Sequence, residues 1–165
     1  QKVIGVDISE NMLAVGRTKV SKRNMSDKIE GIQGDSEALP FQDNYADALT
    51  VGFGVRNFED LDKGLAELHR VLVPGGRAVI LEPSFPQRFP LGPLFKFYFT
   101  QVLPAIGRLV SKDGSAYSYL PASVAAFPSG EAFLQRARQA GFAQGRHLPL
   151  TFGICALYVL DKAPH

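Results

Sequence analysis

The residues best suited to chemistry follow four apolar runs that are typical of parallel strands. Asp7 ends the first run, Gly34-Asp35-Ser36 follow the second, residues 52–57 (GFGVRN) follow the third, and Glu82-Pro83-Ser84 follow the fourth. Ligands of open parallel sheets bind beyond the carboxyl ends of the strands, so we expect these residues along one rim. Asp7 can accept hydrogen bonds from both hydroxyls of a ribose, and Asp35 or its adjacent backbone can meet an adenine amine. The pair favours an adenosine ligand, although either carboxylate could instead only cap a helix or lie in solvent.

Two further features support an adenine site. Met12 lies on the first turn of the helix predicted after Asp7 and could flank the adenine, although a helical Met is more often part of the core. Downstream, the segment SEALPFQDNYADAL has the form L-P-F-x-D-x-x-aromatic-D, carried by Leu39, Pro40, Phe41, Asp43, Tyr45 and Asp47. Its proline and aromatic ring would close a turn over the adenine edge, and its last aspartate begins the next buried strand.

Three other residues could in principle do chemistry. His147 is a candidate base, but its place in a late strand favours a structural role, and His69 lies on a helix with a leucine stripe and is predicted to be structural. Cys155 is the single cysteine, so no internal disulfide is possible and a Cys-rich metal site is excluded. We predict that it is a buried structural thiol and that the protein needs no metal.

Composition excludes several classes of protein. The 165 residues, 45% hydrophobic and 21% charged, are typical of one globular domain spanning 1–165. A net charge of +2 with interleaved acids and bases gives no nucleic-acid footprint. No apolar run approaches the roughly eighteen residues of a membrane span, and no secretory signal opens the chain, so a cytoplasmic protein is expected.

Alternating strands and helices must position the candidate residues. The helix over 59–72 is the clearest element, because its leucines form one stripe and its first turn is acidic. The pattern predicts an α/β fold, a doubly wound layered sheet with right-handed crossovers. Its strands are predicted over 2–8, 29–34, 46–53, 77–81, 143–150 and 154–161, and its other helices over 10–22 and 129–140, with Pro74-Gly75-Gly76 ending the 59–72 helix.

The stretch 85–127 differs from the rest of the chain and is predicted to be a helical insertion. It is dense in Phe, Tyr, Leu and Pro, and it carries Arg88, Lys96, Arg108 and Lys112 against the single acid Asp113. Aromatic clusters usually mean packing, so the residues alone favour additional core under a long connection. The alternative is an apolar substrate cover with a basic rim.

At this point a family resemblance can be stated. The strand-end acids together with the L-P-F-x-D pattern resemble the S-adenosylmethionine-dependent methyltransferases of the Rossmann-like class. Residues 53–84 (FGVRN through LEPS), 116–128 (AYSYLPASVAAFP) and 134–142 (LQRARQAGF) are similar to the ubiquinone/menaquinone biosynthesis C-methyltransferases. One departure is Val73, where the family usually has Lys at an outward-facing helix end. The resemblance implies a methyltransferase sheet with helices on both faces.

The resemblance also implies roles for particular residues. The cofactor S-adenosylmethionine would contact Asp7 with its ribose and Asp35 and Ser36 with its adenine, and it would also contact Gly52. Met12 is included because it could flank the adenine. Arg56 and Asn57 would lie near the transferred methyl and the acceptor ring as catalytic residues, and Tyr117, Tyr119 and Ser123 would be substrate-binding. The alternative for Arg56 is a surface cation that pairs with Glu59 or Asp60.

The implied reaction is C-methylation of a prenylated hydroquinol, with demethylmenaquinol favoured by the YSYLPASV segment. Arg56 is too weak an acid to serve as a base itself, so it would stabilise the phenolate or orient a water that takes the proton. A prenyl tail must leave the bilayer through an apolar mouth, which shifts our interpretation of 85–127 towards the substrate cover. We therefore expect transient contact with the inner face of the membrane through the basic rim.

Several alternatives remain open. An NAD-dependent dehydrogenase also has an acid after its second strand but lacks the L-P-F-x-D pattern. A non-catalytic scaffold or lipid-binding subunit, or a methyltransferase for another small apolar acceptor, would share the fold. The family's first strand and glycine-bearing loop are not in this sequence, which leads us to expect an N-terminally truncated chain. The isolated chain would then have two open sheet edges. We expect it to bind the cofactor poorly and to self-associate, for example as a homo-oligomer.

Overall fold

The computed structural model describes residues 2–105 and 115–164, with the backbone alone for 115–118. Six strands and five helices make up the described fold. In chain order they are β1 (Val3–Asp7), α1 (Glu10–Lys22), β2 (Ile29–Gln33), β3 (Ala46–Gly52), α2 (Leu61–Val71), β4 (Leu72–Pro83), α3 (Leu91–Phe97), α4 (Ser115–Ala126), α5 (Glu131–Gln139), β5 (Gln144–Leu150) and β6 (Cys155–Asp161). A 3₁₀ turn (Val55–Asn57) follows β3, another (Thr151–Gly153) joins β5 to β6, and a π turn (Tyr98–Val102) follows α3.

Two of the predicted helices, α1 and α2, begin where a side chain accepts amides of the first turn. Ser9 caps α1 through its hydroxyl, which accepts the Met12 amide at 3.4 Å. Asp60 caps α2 by accepting the amides of Asp62 and Lys63. The stripe expected on α2 is confirmed, since Leu65, Leu68 and Val71 are buried.

The sheet is mixed and not wholly parallel. β1 pairs with β2 and β3 pairs with β4 in parallel, but β6 runs antiparallel to both β4 and β5, giving the order β3-β4-β6-β5. The short turn between β5 and β6 leaves no room for the crossover helix that a parallel pair needs. The prediction that residues 74–76 separate helix from strand is wrong, because β4 begins directly after α2 and includes them, with a register shift in its pairing with β3 between Ala46 and Ala48.

The two sheets are joined through the segment after β2. β1 and β3 form no ladder with each other among the described residues, so each has one strand neighbour. Glu37, beyond β2, accepts the amides of Glu59 and Asp60 at 2.6 and 3.2 Å, which ties the end of β2 to the start of α2. Self-association through the open edges stays a prediction.

The main core lies between α2, α5 and one face of the four-stranded sheet. Along β4 the side chains alternate, with Ala78, Ile80 and Glu82 fully buried and the intervening residues half-buried or exposed. The same core contains Phe133 of α5 and Tyr158 of β6, whose rings lie 4.4 Å apart. Glu82 is the one buried charged residue among those described.

Two helical glycines are expected to respond oppositely to alanine. A Cβ at Gly64 of α2 would overlap the Phe58 ring, whereas a Cβ at Gly16 of α1 meets nothing within 4 Å. Gly64→Ala should therefore cost about 1–3 kcal/mol through overpacking, and Gly16→Ala should gain about 0.5–1 kcal/mol. Urea denaturation of both variants measures the difference. Equal shifts of the same sign would contradict the packing of Phe58 on α2.

Candidate active site

The first two strand-end carboxylates lie at one edge of the β1–β2 pair. Asp7 is paired in register with Gln33, and the Gly34 amide donates to the Asp7 carbonyl at 3.1 Å. The Oδ1 atom of Asp7 accepts the Ser9 amide at 2.8 Å, and Oδ1 of Asp35 accepts the Glu37 amide at the same distance. Each carboxylate therefore shapes its own turn with one oxygen.

A cleft of about 740 Å³ runs between α1 and the β1–β2 pair. Asp7 and Met12 line it together with apolar residues of α1, but Asp35, Ser36 and Gly52 do not. Met12 is 60% exposed, so the alternative that it belongs to the core is wrong, and the buried residue of this helix is its neighbour Leu13.

The end of β3 is open and its following turn is strained. A Cβ at Gly52 would meet nothing within 4 Å, so the backbone there is accessible to a ligand. The next residue, Phe53, has a φ of +58° although it is not glycine. A non-glycine residue in this region costs about 1–3 kcal/mol, and such residues cluster at functional sites.

Arg56 is held inside the fold. Its Nη1 donates to Oε2 of Glu82 at 3.0 Å and also to the Phe53 carbonyl. The Arg56 side chain is 11% exposed and that of Glu82 is fully buried. The alternative of a surface pairing with Glu59 or Asp60 is wrong, because Arg56 pairs with a strand residue 26 positions away.

Asn57 is joined to the helix that carries the predicted substrate residues. The hydroxyl of Tyr119, on α4, donates to Oδ1 of Asn57 at 2.9 Å. Ser123, one turn further, lines a cleft of about 440 Å³ that Arg56 also lines. Tyr117 lies on the same helix, but its side chain is outside the described residues. The structure thus brings Arg56, Asn57, Tyr119 and Ser123 together.

The L-P-F-x-D segment is fixed by one arginine of α2. Arg70 donates to the carbonyls of Leu39 and Phe41 and pairs with Asp43 and Glu67. Phe41 and Tyr45 stack with ring centroids 4.8 Å apart, which closes the turn as expected. Sequence reasoning missed Arg70 as its anchor, although the Glu67–Arg70 spacing of three residues on one helix was a usable signal.

The Glu67–Arg70 pair predicts a pH effect. Hydrogen bonding to Arg70 is the main cause that lowers the pKa of Glu67 below its ordinary value of 4.5. A lowered carboxyl pKa contributes stability above 4.5 that is lost as pH falls through the folded-state value. Arg70→Gln should therefore be less stable than wild type at neutral pH, and the gap should narrow in acid. Urea titrations across this range test it, and a gap independent of pH would contradict it.

The remaining candidates have structural surroundings. His69 packs edge-on against Phe142 at 5.2 Å, and burial lowers its pKa. His147 stacks on Tyr158 at 5.1 Å and lines a separate cavity of about 540 Å³. Cys155 is free but half-buried, so full burial is wrong. Within residues 2–105 and 115–164 no cluster of His, Cys, Asp and Glu could hold a metal ion.

Comparison with known sequences gives one consistent result. The sequence profile of the ubiE/COQ5 methyltransferase family matches residues 1–162. Demethylmenaquinone methyltransferase of Bacteroides fragilis is 52% identical over 98% of this chain, and that of Chlorobaculum tepidum is 45% identical over 98%. Ubiquinone/menaquinone biosynthesis C-methyltransferase of Geobacter sulfurreducens is 46% identical over 97%. The chain spans 66%, 64% and 62% of the lengths of these relatives.

Solved structures share the fold at low identity. A SAM-dependent methyltransferase of Aquifex aeolicus superposes over 97% of this chain and 68% of its own, with a TM-score of 0.66 and 20% identity. A possible histamine N-methyltransferase of Thermotoga maritima covers 97% and 72%, with a TM-score of 0.64 and 19% identity. The α/β methyltransferase fold expected from the sequence is confirmed.

Proposed function

This chain belongs to the ubiE/COQ5 methyltransferase family, and from that premise we propose that it serves S-adenosylmethionine-dependent C-methylation of a prenylated hydroquinol, demethylmenaquinol in particular. The observation that carries the proposal is the family match over residues 1–162. It is supported by two relatives named demethylmenaquinone methyltransferase, which are 45% and 52% identical to this chain. The geometry is compatible, since strand-end carboxylates and the Asn57–Tyr119 pair lie where this fold binds ligands.

The described residues fit an adenosyl cofactor. Asp7 keeps Oδ2 for ribose hydroxyls, because its Oδ1 is used by the Ser9 amide. The backbone at Gly52 has open space beside it, and the stacked turn at Phe41 can cover an adenine. When bound, S-adenosylmethionine supplies an electrophilic methyl group on a sulfonium.

The chain's own contribution would be to place and ionise the acceptor. The Tyr119 hydroxyl fixes Oδ1 of Asn57, and one Nδ2 hydrogen is directed at the Phe53 carbonyl at 3.4 Å, which leaves the other to donate to an acceptor oxygen. A hydrogen bond to that oxygen would favour the phenolate, with the hydroxyl proton passing to a water, and the phenolate would raise electron density at the neighbouring ring carbon. Arg56, whose side chain is 11% exposed, would help to place the acceptor ring, and this positioning would supply much of the rate.

A methyl-transfer assay tests the proposal directly. The protein expressed from its complete reading frame is incubated with S-adenosylmethionine and either demethylmenaquinol or the corresponding benzoquinol. The masses of the products are then measured by mass spectrometry. We expect one added methyl group on the naphthoquinol. Competition between S-adenosylhomocysteine and NAD identifies the cofactor class. Absence of methylated product together with absence of S-adenosylhomocysteine binding would refute the enzyme and favour a scaffold.

Some aromatic side chains of the insertion 85–127 pack on one another, and others form an exposed apolar surface. Phe85, Phe95 and Phe99 pack on one another with centroids 5.3–6.3 Å apart, as the packing interpretation expects. Phe89, 88% exposed, and Phe97, 61% exposed, do not join them. Arg108, Lys112 and Asp113 lie outside the described residues.

These outward aromatic residues support the proposed peripheral contact with the inner, cytoplasmic face of the membrane, where a prenylated substrate lies. In the described part of the chain, no helix has the length and apolarity to cross a bilayer. Arg88 and Lys96 flank the exposed rings in sequence and could meet anionic headgroups. The surface is therefore proposed to lie on the membrane and guide the prenyl tail.

Vesicle binding checks this contact. Replacing both Phe89 and Phe97 by serine should weaken co-sedimentation with anionic liposomes at least about tenfold, since each ring contributes roughly 1.5–3 kcal/mol when buried. The matched control replaces two other exposed apolar residues, Val15 and Met25, by serine. Binding that is equally weakened in both double variants, or that ignores anionic lipid, would contradict the proposal.

A further inference from the structure

Glu82 is a buried carboxylate that the proposed reaction has not yet used. It is the penultimate residue of β4 and is 0% exposed. Its Oε1 accepts the amide of Val55 at 2.7 Å and, more weakly, that of Arg56 at 3.4 Å, and its Oε2 accepts Nη1 of Arg56 at 3.0 Å. All these donors belong to the 3₁₀ turn that follows β3, so one side chain of β4 holds the turn beside it.

Stability alone gives a poor account of this ion pair. Burying two charges costs several kcal/mol of desolvation, and apolar residues of similar volume often stabilise a core equally well. The pairing is also incomplete, because the buried Nε of Arg56 has no hydrogen-bond partner among the described residues. An unsatisfied buried polar group in a native fold calls for a reason, and function is one of the common reasons.

The turn that Glu82 holds is strained and leads to the proposed acceptor site. Phe53 has a φ of +58°, and its carbonyl accepts hydrogen bonds from the side chains of Arg56 and, at 3.4 Å, Asn57. Such a conformation persists only where the surroundings over-determine it. The Phe53 amide also donates to the Leu81 carbonyl at 2.8 Å, so the turn is fixed from β4 at two adjacent residues.

We infer that Glu82 is a positioning residue of the methyl-transfer site. It orients the Arg56 guanidinium by engaging Nη1, and by clamping Val55 it sets the direction in which Asn57 leaves the turn. The inference rests on the proposed function for its catalytic consequence, but the clamp is a property of the fold and can be measured without any substrate.

The kinetic test uses Glu82→Gln, which keeps the shape and one acceptor but removes the charge. We expect kcat to fall about tenfold to a hundredfold, the range for a small misplacement of catalytic groups, with affinity for S-adenosylhomocysteine within about twofold of wild type. Asp161→Asn is the matched control, because it breaks an exposed strand ion pair with Arg77 and should leave kcat unchanged. Unchanged kcat in a folded Glu82→Gln protein would overturn the inference.

Two further measurements separate positioning from stability. In an Arg56→Met background, Glu82→Gln should lower kcat further by less than about threefold, because the effects of residues that act through one another are not additive. Glu82→Asp keeps the charge on a shorter arm and should give an intermediate kcat, which also serves if the glutamine variant does not fold. Additive losses would overturn the inference, because Glu82 would then not act through Arg56.

A spectroscopic readout distinguishes failure of this inference from failure of the proposed function. The Nε–H proton of Arg56, assigned by its loss in Arg56→Lys, should give a slowly exchanging NMR signal in wild type and a fast-exchanging one in Glu82→Gln. If wild type methylates neither quinol, the proposed function fails while this signal still decides the role of Glu82. A signal unaffected by Glu82→Gln would overturn the inference even in an active enzyme.

Discussion

Asp7→Ala should weaken the binding of S-adenosylhomocysteine by about a hundredfold or more. Its carboxylate ends β1, and Oδ2 remains available because only Oδ1 is used, by the Ser9 amide. Each hydrogen bond to a charged group contributes about 1.5–3 kcal/mol, so loss of two ribose contacts exceeds the roughly 2.7 kcal/mol that a hundredfold change requires. The variant also loses the bond to Ser9, which would lower stability slightly and must be separated from binding.

Isothermal titration of the protein expressed from its complete reading frame provides the measurement. Asp7→Asn retains an acceptor for the Ser9 amide but loses the charge, so its affinity should lie between those of wild type and alanine. Asp60→Ala removes the carboxylate that caps α2 and controls for the loss of a hydrogen bond at the start of a helix. If Asp7→Ala and Asp60→Ala weaken binding equally, Asp7 only stabilises the turn before α1 through the Ser9 amide.

Local patterns predicted the elements well where propensity and packing agree. The helix over 10–22 matches α1 in full, and the leucine stripe of 59–72 matches α2 to within two residues at its start and one at its end. The start of β4 was missed, because Pro74 and Gly75 are typical of a turn. Residues 73–76 fall in the register shift of the β3–β4 ladder and have no partner in β3; Gly75 and Gly76 are instead hydrogen-bonded to Ala163 and Lys162, contacts that a local pattern does not show.

The strand-end positions of the candidate residues could be predicted, their connections could not, and their roles in a site stay predictions. Strand-end position and residue type were enough to select Asp7, Asp35 and Arg56, because parallel strands bring their carboxyl ends to one edge. The partner of Arg56 could not be predicted, since Glu82 lies 26 residues away and the sequence does not show which face of β4 is buried. The contact between Tyr119 and Asn57 spans 62 residues and depends equally on tertiary packing.

Asn57→Ala should lower kcat for quinol methylation by about a hundredfold or more, the usual cost of removing one donor to a developing oxyanion. The Tyr119 hydroxyl donates to Oδ1 of Asn57 at 2.9 Å and Nδ2 donates to the Phe53 carbonyl at 3.4 Å, so the amide is held in one orientation with one Nδ2 hydrogen left for the acceptor oxygen. Asn57→Asp keeps the acceptor for Tyr119 but replaces the donor by a negative charge beside the phenolate. The aspartate variant should therefore be at least as impaired as the alanine variant, although it preserves the contact with α4.

Tyr119→Phe tests whether this orientation matters. Alone it should reduce kcat about tenfold, and in an Asn57→Ala background it should add little, because the two residues act as a unit. Affinity for S-adenosylhomocysteine should stay within about twofold of wild type in all of these variants, since neither residue is assigned to the cofactor. Steady-state kinetics at saturating quinol, measured for wild type, the two single variants and the double variant, complete the double-mutant cycle. Fully additive losses of kcat would show that Tyr119 and Asn57 contribute independently. An Asn57→Asp variant with near-normal kcat would show that the Asn57 amide takes no part in the reaction.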